Sequence, residues 1–286
     1  MRSENPLVSV LMTAYNREMF IAEAIESVLN QTYHHFELII VDDCSKDKTV
    51  EIANSFASRD NRVKCYVNEK NLGDYPNRNK AASLATGYYI MYVDSDDSIQ
   101  PNAIRYIIES FNKFPSALHS AIYHENDLIA PTMLDSALAI RNHYFTNNSL
   151  AGGPGSRVFK KEYFIELFGY PEKYGPANDM YFNILSTAKS PILMLPYCYL
   201  NYRIHEGQEK NNHEAYIYNN YNYLDDLINS IQIPLSPIEL KILIKGNKRR
   251  FIINVTKYFF QTLSFKSLKI IFKKVNFRVF EILQAI

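Results

Sequence analysis

Four apolar strand signals with three helix signals between them fill the first hundred residues, and this alternation leaves few folds open. The strands read "LVSVLMTAY", "FELIIVDD", "VKCYVNE" and "YYIMYVD". Between the first two, Phe20, Ile21, Ala24, Ile25, Val28 and Leu29 recur at helical spacing, and a second helix is predicted from about Lys48 to Ser58. A third helix follows "NLGD", with Pro76 in its first turn and Gly87 just past its end. Continuous apolar strands alternating with helices imply parallel pairing, right-handed crossovers and helices on both faces of the sheet.

In such sheets ligands bind beyond the carboxyl ends of the strands. Three of the four strands end there in polar or acidic groups: Thr13, Tyr15 and Asn16 after the first, Asp42 and Asp43 after the second, and Asp94, Asp96 and Asp97 after the fourth. A single Asp in such a place caps a helix or forms a turn, which remains an open reading for Asp97. Three acids in four positions exceed what a cap needs. No GxGxxG follows the first strand and no GxxxxGK[ST] occurs, so a nicotinamide fingerprint or a Walker-type phosphate loop is unsupported. The physical alternative is a divalent cation held by carboxylates, because Mg²⁺ or Mn²⁺ takes one or two carboxylates together with substrate phosphate oxygens. The cation also reverses the sign of a rim that would otherwise repel a diphosphate.

The chain resembles the family 2 glycosyltransferases, inverting enzymes of the GT-A fold. The resemblance is carried by "VSVLMTAYN", "AIESVLNQTYHHFELIIVDDCSKDKT", "NLGDYPNRNKAASLATGYYIMYVDSDDSIQP", "ANDMYFNIL" and "YRIH", in order over about residues 7–206. It implies an α/β fold with a Rossmann-like, mostly parallel sheet flanked by helices and followed by a C-terminal helical appendage. Residues 1–210 are expected to form the catalytic domain, with 1–100 as the nucleotide-sugar half and 101–210 as the acceptor half; 211–286 would be helical, basic and amphipathic. The resemblance further implies a nucleoside-diphosphate sugar donor, with a UDP-sugar as the default. It also implies Mn²⁺ or Mg²⁺, and a glycan or lipid-linked glycan acceptor in surface polysaccharide synthesis.

Matched residue by residue, the resemblance has Thr13, Ala14 and Tyr15 framing the nucleobase and Asp42 accepting hydrogen bonds from the base or the ribose. Arg78 would lie near the base or diphosphate; read alone, it is a solvated helix cation. Asp94 and Asp96 bracket Ser95 as the DxD motif, with Asp96 on the metal, Asp94 at the ribose or a metal-bound water, and Asp97 supporting the loop. Asp179 in "GPANDMYFNIL" matches the catalytic base, which takes the acceptor proton and usually contributes about 10²–10⁴-fold; alone it reads as a helix N-cap. Asn178 stands where the family commonly has a further acid. His205 matches a position beside the diphosphate or metal, and would otherwise be a loop residue. The stretch "LAGGPGSRVFKKE", 150–162, reads as a loop before a helix, lining the sugar and acceptor pocket or merely connecting elements.

Charge is segregated. Residues 241–286 hold eleven Lys or Arg against one Glu, whereas the preceding 240 hold twenty against twenty-nine Asp or Glu. The basic segment interleaves aromatic and aliphatic residues with Lys and Arg, so its helices read as membrane-surface contacts or as an appendage packed on the catalytic domain. No nucleic-acid module accompanies the charge. The N-terminal apolar run is too short for a bilayer span, and no stretch of about eighteen uncharged apolar residues occurs. Three widely spaced cysteines offer no zinc spacing and suit a reducing compartment. The expectation is a cytoplasmic enzyme, peripheral at the inner face of the membrane. Two rivals are a binding or scaffold subunit of the same fold without chemistry, made conceivable by Asn178, and a nucleotidyltransferase. The second usually has a glycine-rich loop after its first strand, and "TAYNREMF" contains no glycine.

Overall fold

The computed structural model describes residues 5–123, 128–205 and 213–275. The four strands expected from the sequence form β1 (Val8–Ala14), β2 (Phe36–Asp42), β3 (Val63–Val67) and β4 (Tyr89–Tyr92), in the spatial order β3-β2-β1-β4, and all of these pair in parallel. Every residue of β1, β2 and β4 is buried, which is why these strands are continuously apolar rather than alternating.

Helices cover both faces. Val8, Val10 and Met12 share a core with α1 (Ile21–Leu29), with Ala53 of α2 (Thr49–Ala57), and with Ile104, Ile107 and Phe111 of α4 (Ala103–Lys113). On the opposite face, the Tyr92 hydroxyl donates to the Arg78 carbonyl in α3 (Asp74–Leu84), and its ring meets Phe164 of α6 (Lys161–Glu166) at 6.4 Å. Gly87 leaves no room for a side chain, since a Cβ there would fall 2.6 Å from the Ser9 backbone nitrogen; its own N–H donates to the Ser9 hydroxyl. That close approach brings β4 in beside β1.

Beyond β4 the sheet becomes mixed. It continues through β8 (Arg157–Lys160), β6 (His119–Ile122), β9 (Ile192–Leu195) and β7 (Thr132–Leu134), with β8 antiparallel to both neighbours. The expected loop at 150–162 is therefore only partly a loop. Gly153 leads into a 3₁₀ turn, Pro154–Ser156, and "RVFK" is an interior strand. Its four residues carry Arg and Lys at the ends, so neither a strand alternation nor an apolar run marks it, yet Arg157 is fully buried. A two-stranded ribbon pairs β5 (Ser98–Ile99) with β10 (Leu200–Asn201).

The chain divides into two compact units. The first, Met1–Asp135, Ala151–Tyr170 and Ser190–Ile204, contains the sheet. The second comprises Ser136–Leu150, Pro171–Lys189 and His205–Ile286. Its helices are α5 (Ser136–Asn142), α7 (Asn178–Lys189), α8 (His213–Ser230), α9 (Pro237–Thr262) and α10 (Phe265–Lys274). The second unit thus draws on chain segments well before the basic C-terminal region.

Candidate functional site

The acid-rich segment after β4 is a tight turn fixed from several sides. The Val93 N–H donates to the Leu11 carbonyl at 3.0 Å, the Asp97 N–H to the Asp94 carbonyl at 3.0 Å, and the buried Ser95 hydroxyl to the Thr13 carbonyl at 2.8 Å. The turn is thereby pinned to the end of β1. One carboxylate oxygen from each of Asp94, Asp96 and Asp97 lies within 4.8 Å of the others. A hard, all-oxygen donor set of that span fits a Mg²⁺ or Mn²⁺ ion, with further ligands left to water or phosphate.

Each acid also has its own counterpart, which makes the cluster tolerable. Arg78 Nη1 donates to Asp94 at 2.6 Å. Arg17 Nε donates to Asp96 at 3.0 Å, while its Nη1 reaches the carbonyls of Tyr15 and Asn16. The Arg203 N–H donates to Asp97 at 2.9 Å, and its Nε to the Asp96 carbonyl at 3.0 Å. Asp97 is the most buried of the three acids. Burial raises its pKa to about 7, opposed by the Arg203 N–H and reinforced by the charges of Asp94 and Asp96.

Arg78 is buried, which removes the solvated-cation reading. Its Nε also lies 2.9 Å from Asp74 one turn earlier, and its guanidinium carbon sits 5.6 Å from the Tyr92 ring centroid. Burial works against its charge, but Asp74 and Asp94 outweigh this and hold it firmly protonated.

The two acids ending β2 do different work. Asp42 is fully buried and accepts both the Ser45 N–H, at 2.8 Å, and the Ser45 hydroxyl, so it shapes the β2–α2 turn. Asp43 faces the next loop, taking the N–H groups of Leu72 and Gly73 at 2.8 Å each and the Asn68 amide at 2.7 Å. Asn68 in turn donates to Asn77, whose amide donates to the Val41 carbonyl. This buried network fixes the first turn of α3, and Arg78 projects from the next turn. Beside it, Ala14 is buried, Thr13 sits at the buried margin and Tyr15 is exposed. Asn16 then takes a left-handed conformation, φ 53°, and its side chain accepts the Lys46 N–H.

The structure therefore brings together Thr13, Ala14, Asp42, Arg78, Asp94, Ser95 and Asp96 at the carboxyl ends of β1, β2 and β4. Asp179 and His205 belong to the second unit. There Asp179 lies in the first turn of α7 with its carboxylate accepting the Met180 N–H at 2.6 Å, and Asn178, which opens the helix, is buried with its side-chain oxygen accepting the Tyr174 N–H. Sequence alone gives no weight to Arg17 or Arg203, although Arg17 directly follows the matched stretch "VSVLMTAYN" and Arg203 lies inside "YRIH". Their nearness in sequence to Tyr15 and to His205 was the available signal.

A large sheet flanked by helices, with acids at the strand ends, is the architecture expected of a GT-A glycosyltransferase. The chain belongs to glycosyl transferase family 2, whose model matches residues 9–168. An uncharacterized glycosyltransferase of Haemophilus influenzae is 44% identical over 94 residues, 33% of this chain and 38% of that protein. The teichuronic acid biosynthesis glycosyltransferase TuaG of Bacillus subtilis, itself a putative assignment, is 42% identical over 97 residues, 34% of this chain and 38% of TuaG. These matches span little more than a third of either relative. Among solved structures, Staphylococcus aureus TarS 1–349 in complex with UDP-GlcNAc superposes with a TM-score of 0.72 at 20% identity, covering 97% of this chain and 81% of TarS 1–349. The mannosyltransferase PcManGT of Pyrobaculum calidifontis, in complex with GDP-Man and Mn²⁺, gives 0.64 at 14% identity, covering 94% and 79%. At these identities the two structures establish the fold.

Proposed function

We propose that this chain is an inverting, metal-dependent glycosyltransferase. It would move a sugar from a nucleoside-diphosphate sugar, a UDP-sugar by default, to a hydroxyl of a glycan or lipid-linked glycan in surface polysaccharide synthesis. The observation that carries this reading is the Asp94–Asp96–Asp97 turn, a compact all-oxygen cluster bordered by buried Arg78 within a family 2 chain. TarS in complex with UDP-GlcNAc and PcManGT in complex with GDP-Man and Mn²⁺ support a nucleotide-sugar donor and a divalent ion without choosing between nucleotides.

Thr13, Ala14 and Tyr15 frame the base, and Asp42 orders the turn beside it and accepts from base or ribose. Asp94 with Ser95 sets the ribose side, and Arg78 offsets diphosphate charge. Asp96 would hold Mn²⁺ or Mg²⁺, joined by His205. When bound, such an ion acts as a Lewis acid on the leaving nucleoside diphosphate. Asp179 takes the proton of the acceptor hydroxyl as its oxygen bonds to the anomeric carbon. The bond from that carbon to the diphosphate oxygen breaks on the opposite face, inverting the centre. Residues 1–100 serve the donor and 101–210 the acceptor.

Asn178 favours one second reading, a nucleotide-sugar-binding subunit without turnover, since its side chain is committed to Tyr174 and cannot share a proton. No helix among the described residues is long and apolar enough to cross a membrane. The basic segment 236–286 contacts the membrane surface peripherally, with the enzyme on the cytoplasmic side. The test is donor turnover with Mn²⁺ across an acceptor panel. Asp96→Ala and Asp179→Asn should each lose at least about a hundredfold. Wild-type rates in both variants would sink the role assignment, and metal-dependent donor binding with no turnover by the wild type would favour the binding subunit.

A further inference from the structure

The second unit presents an apolar knob in a basic field, and neither feature is used by the chemistry above. Leu243, Asn247, Phe251 and Val255 are buried along one face of α9. That face packs on Tyr221 of α8, ring to ring with Phe251 at 4.8 Å, and on α10 through Phe251 and Phe272 at 5.9 Å. At the corner between α9 and α10 the pattern reverses. Phe260, Leu263 and Phe265 are 72%, 68% and 75% exposed. The Phe259 ring lies 5.8 Å from that of Phe260 and 5.0 Å from that of Phe265, so these three rings form one cluster, with exposed Leu263 in the turn between them.

The turn itself does not require them. Leu263 ends α9 in a left-handed conformation, φ 50°, its N–H donating to the Phe259 carbonyl, and Ser264 caps α10 by accepting the Ser267 N–H. Glycine or asparagine takes that conformation with less strain. A leucine held there and pointed at solvent suits a surface that meets something apolar.

The charge around the knob selects the partner. Residues 241–275 contain ten Lys or Arg and no Asp or Glu. Lys257, Lys266 and Lys269, which flank the corner, are all exposed. Two copies of so basic a surface would repel one another. A nucleic acid would satisfy the lysines but not three protruding apolar side chains. A bilayer bearing anionic headgroups satisfies both, because the cations stay at the headgroups while Phe and Leu enter the acyl boundary.

We propose that the α9–α10 corner is a membrane-insertion point, with Phe260, Leu263 and Phe265 entering an anionic leaflet and Lys257, Lys266 and Lys269 holding its headgroups. This rests on the surface contact proposed above and names the residues that make it. The chain contains no tryptophan, so Phe265→Trp supplies a single reporter in the full-length protein. With vesicles of phosphatidylcholine carrying about 30 mol% phosphatidylglycerol, its emission should shift to the blue and be quenched by brominated acyl chains, and pure phosphatidylcholine should do neither. The triple variant F260S/L263S/F265S should bind these vesicles at least about tenfold more weakly. Its melting profile and its donor turnover in solution should match the wild type. Vesicle binding with no shift and no loss in the triple variant overturns the corner and leaves the wider surface contact standing. No binding to anionic vesicles overturns both, and a blue shift on concentrating the protein without vesicles overturns the lipid assignment in favour of a second copy.

Discussion

If Asp96 holds a divalent ion as proposed, Arg17 competes with that ion for the same carboxylate, and the competition can be measured. Arg17 Nε lies 3.0 Å from Asp96 Oδ2, with the two side chains 23% and 13% exposed. For charges about 4 Å apart at an effective dielectric constant near 20, the Coulomb attraction is about 4 kcal/mol. Solvent screening and the desolvation of both groups bring the net worth of a part-exposed pair down to about 1 kcal/mol. Arg17→Gln removes the cation and leaves an uncharged amide nitrogen at about the place of Nε, without the Nη1 contacts to the Tyr15 and Asn16 carbonyls. Without nucleotide, Mn²⁺ should then bind about five- to tenfold tighter, equivalent to about 1–1.4 kcal/mol. Titration of free Mn²⁺ by electron paramagnetic resonance at fixed ionic strength reads this directly. Arg62→Gln is the control, since Arg62 pairs with Asp60 at 2.7 Å and touches none of the three acids. Unchanged or weaker Mn²⁺ binding by Arg17→Gln, or an equal gain in Arg62→Gln, would refute the competition.

Two further predictions concern the buried acids of β2. Asp43→Ala leaves the Leu72 and Gly73 N–H groups without their acceptor, so it should cost about 3 kcal/mol and lower the melting temperature by about 6–12 °C; a loss under about 1 kcal/mol would contradict the network. For Glu37, burial opposes the charged form, but donors from Lys64, Ser9 and Thr86 outweigh it and lower the carboxyl from 4.5 to about 2. Because the folded value lies below the unfolded one, this stabilisation is complete above about pH 4.5 and is lost as pH falls toward 2. Glu37→Gln should therefore flatten that limb of the stability–pH curve by about 2–3 kcal/mol, allowing for the exposure of Lys64, and an unchanged acid limb in denaturant titrations would count against it.

The parallel half of the sheet was legible because burial on both faces leaves only one kind of sequence, and "VSVLM" or "LIIV" can be little else. The acid rim was legible because one acid can serve as a cap or turn, whereas three carboxylates in four positions exceed what a cap needs. The strand "RVFK" was hidden for the opposite reason. Its burial comes from neighbours distant in the chain, and a fully buried Arg157 gives no local sign of where it lies. Asp42 and Asp43 read as a pair, but side chains alternate along an extended chain, so only coordinates separate their two loops. Arg17 and Arg203 were visible as cations, yet nothing in their spacing says that both reach the DSDD turn.

That split between Asp42 and Asp43 limits how the loops after β2 and β3 can be exchanged. Each of the two loops that would border the proposed nucleotide site is moored by its own acid, one through Ser45 and the other through Leu72 and Gly73. Neither loop is a free-standing cassette. A graft that imports a foreign loop without its matching mooring leaves a buried carboxylate short of donors. The smallest transferable part is the loop together with the end of β2, and the two loops can be exchanged separately only if the acid proper to each is retained.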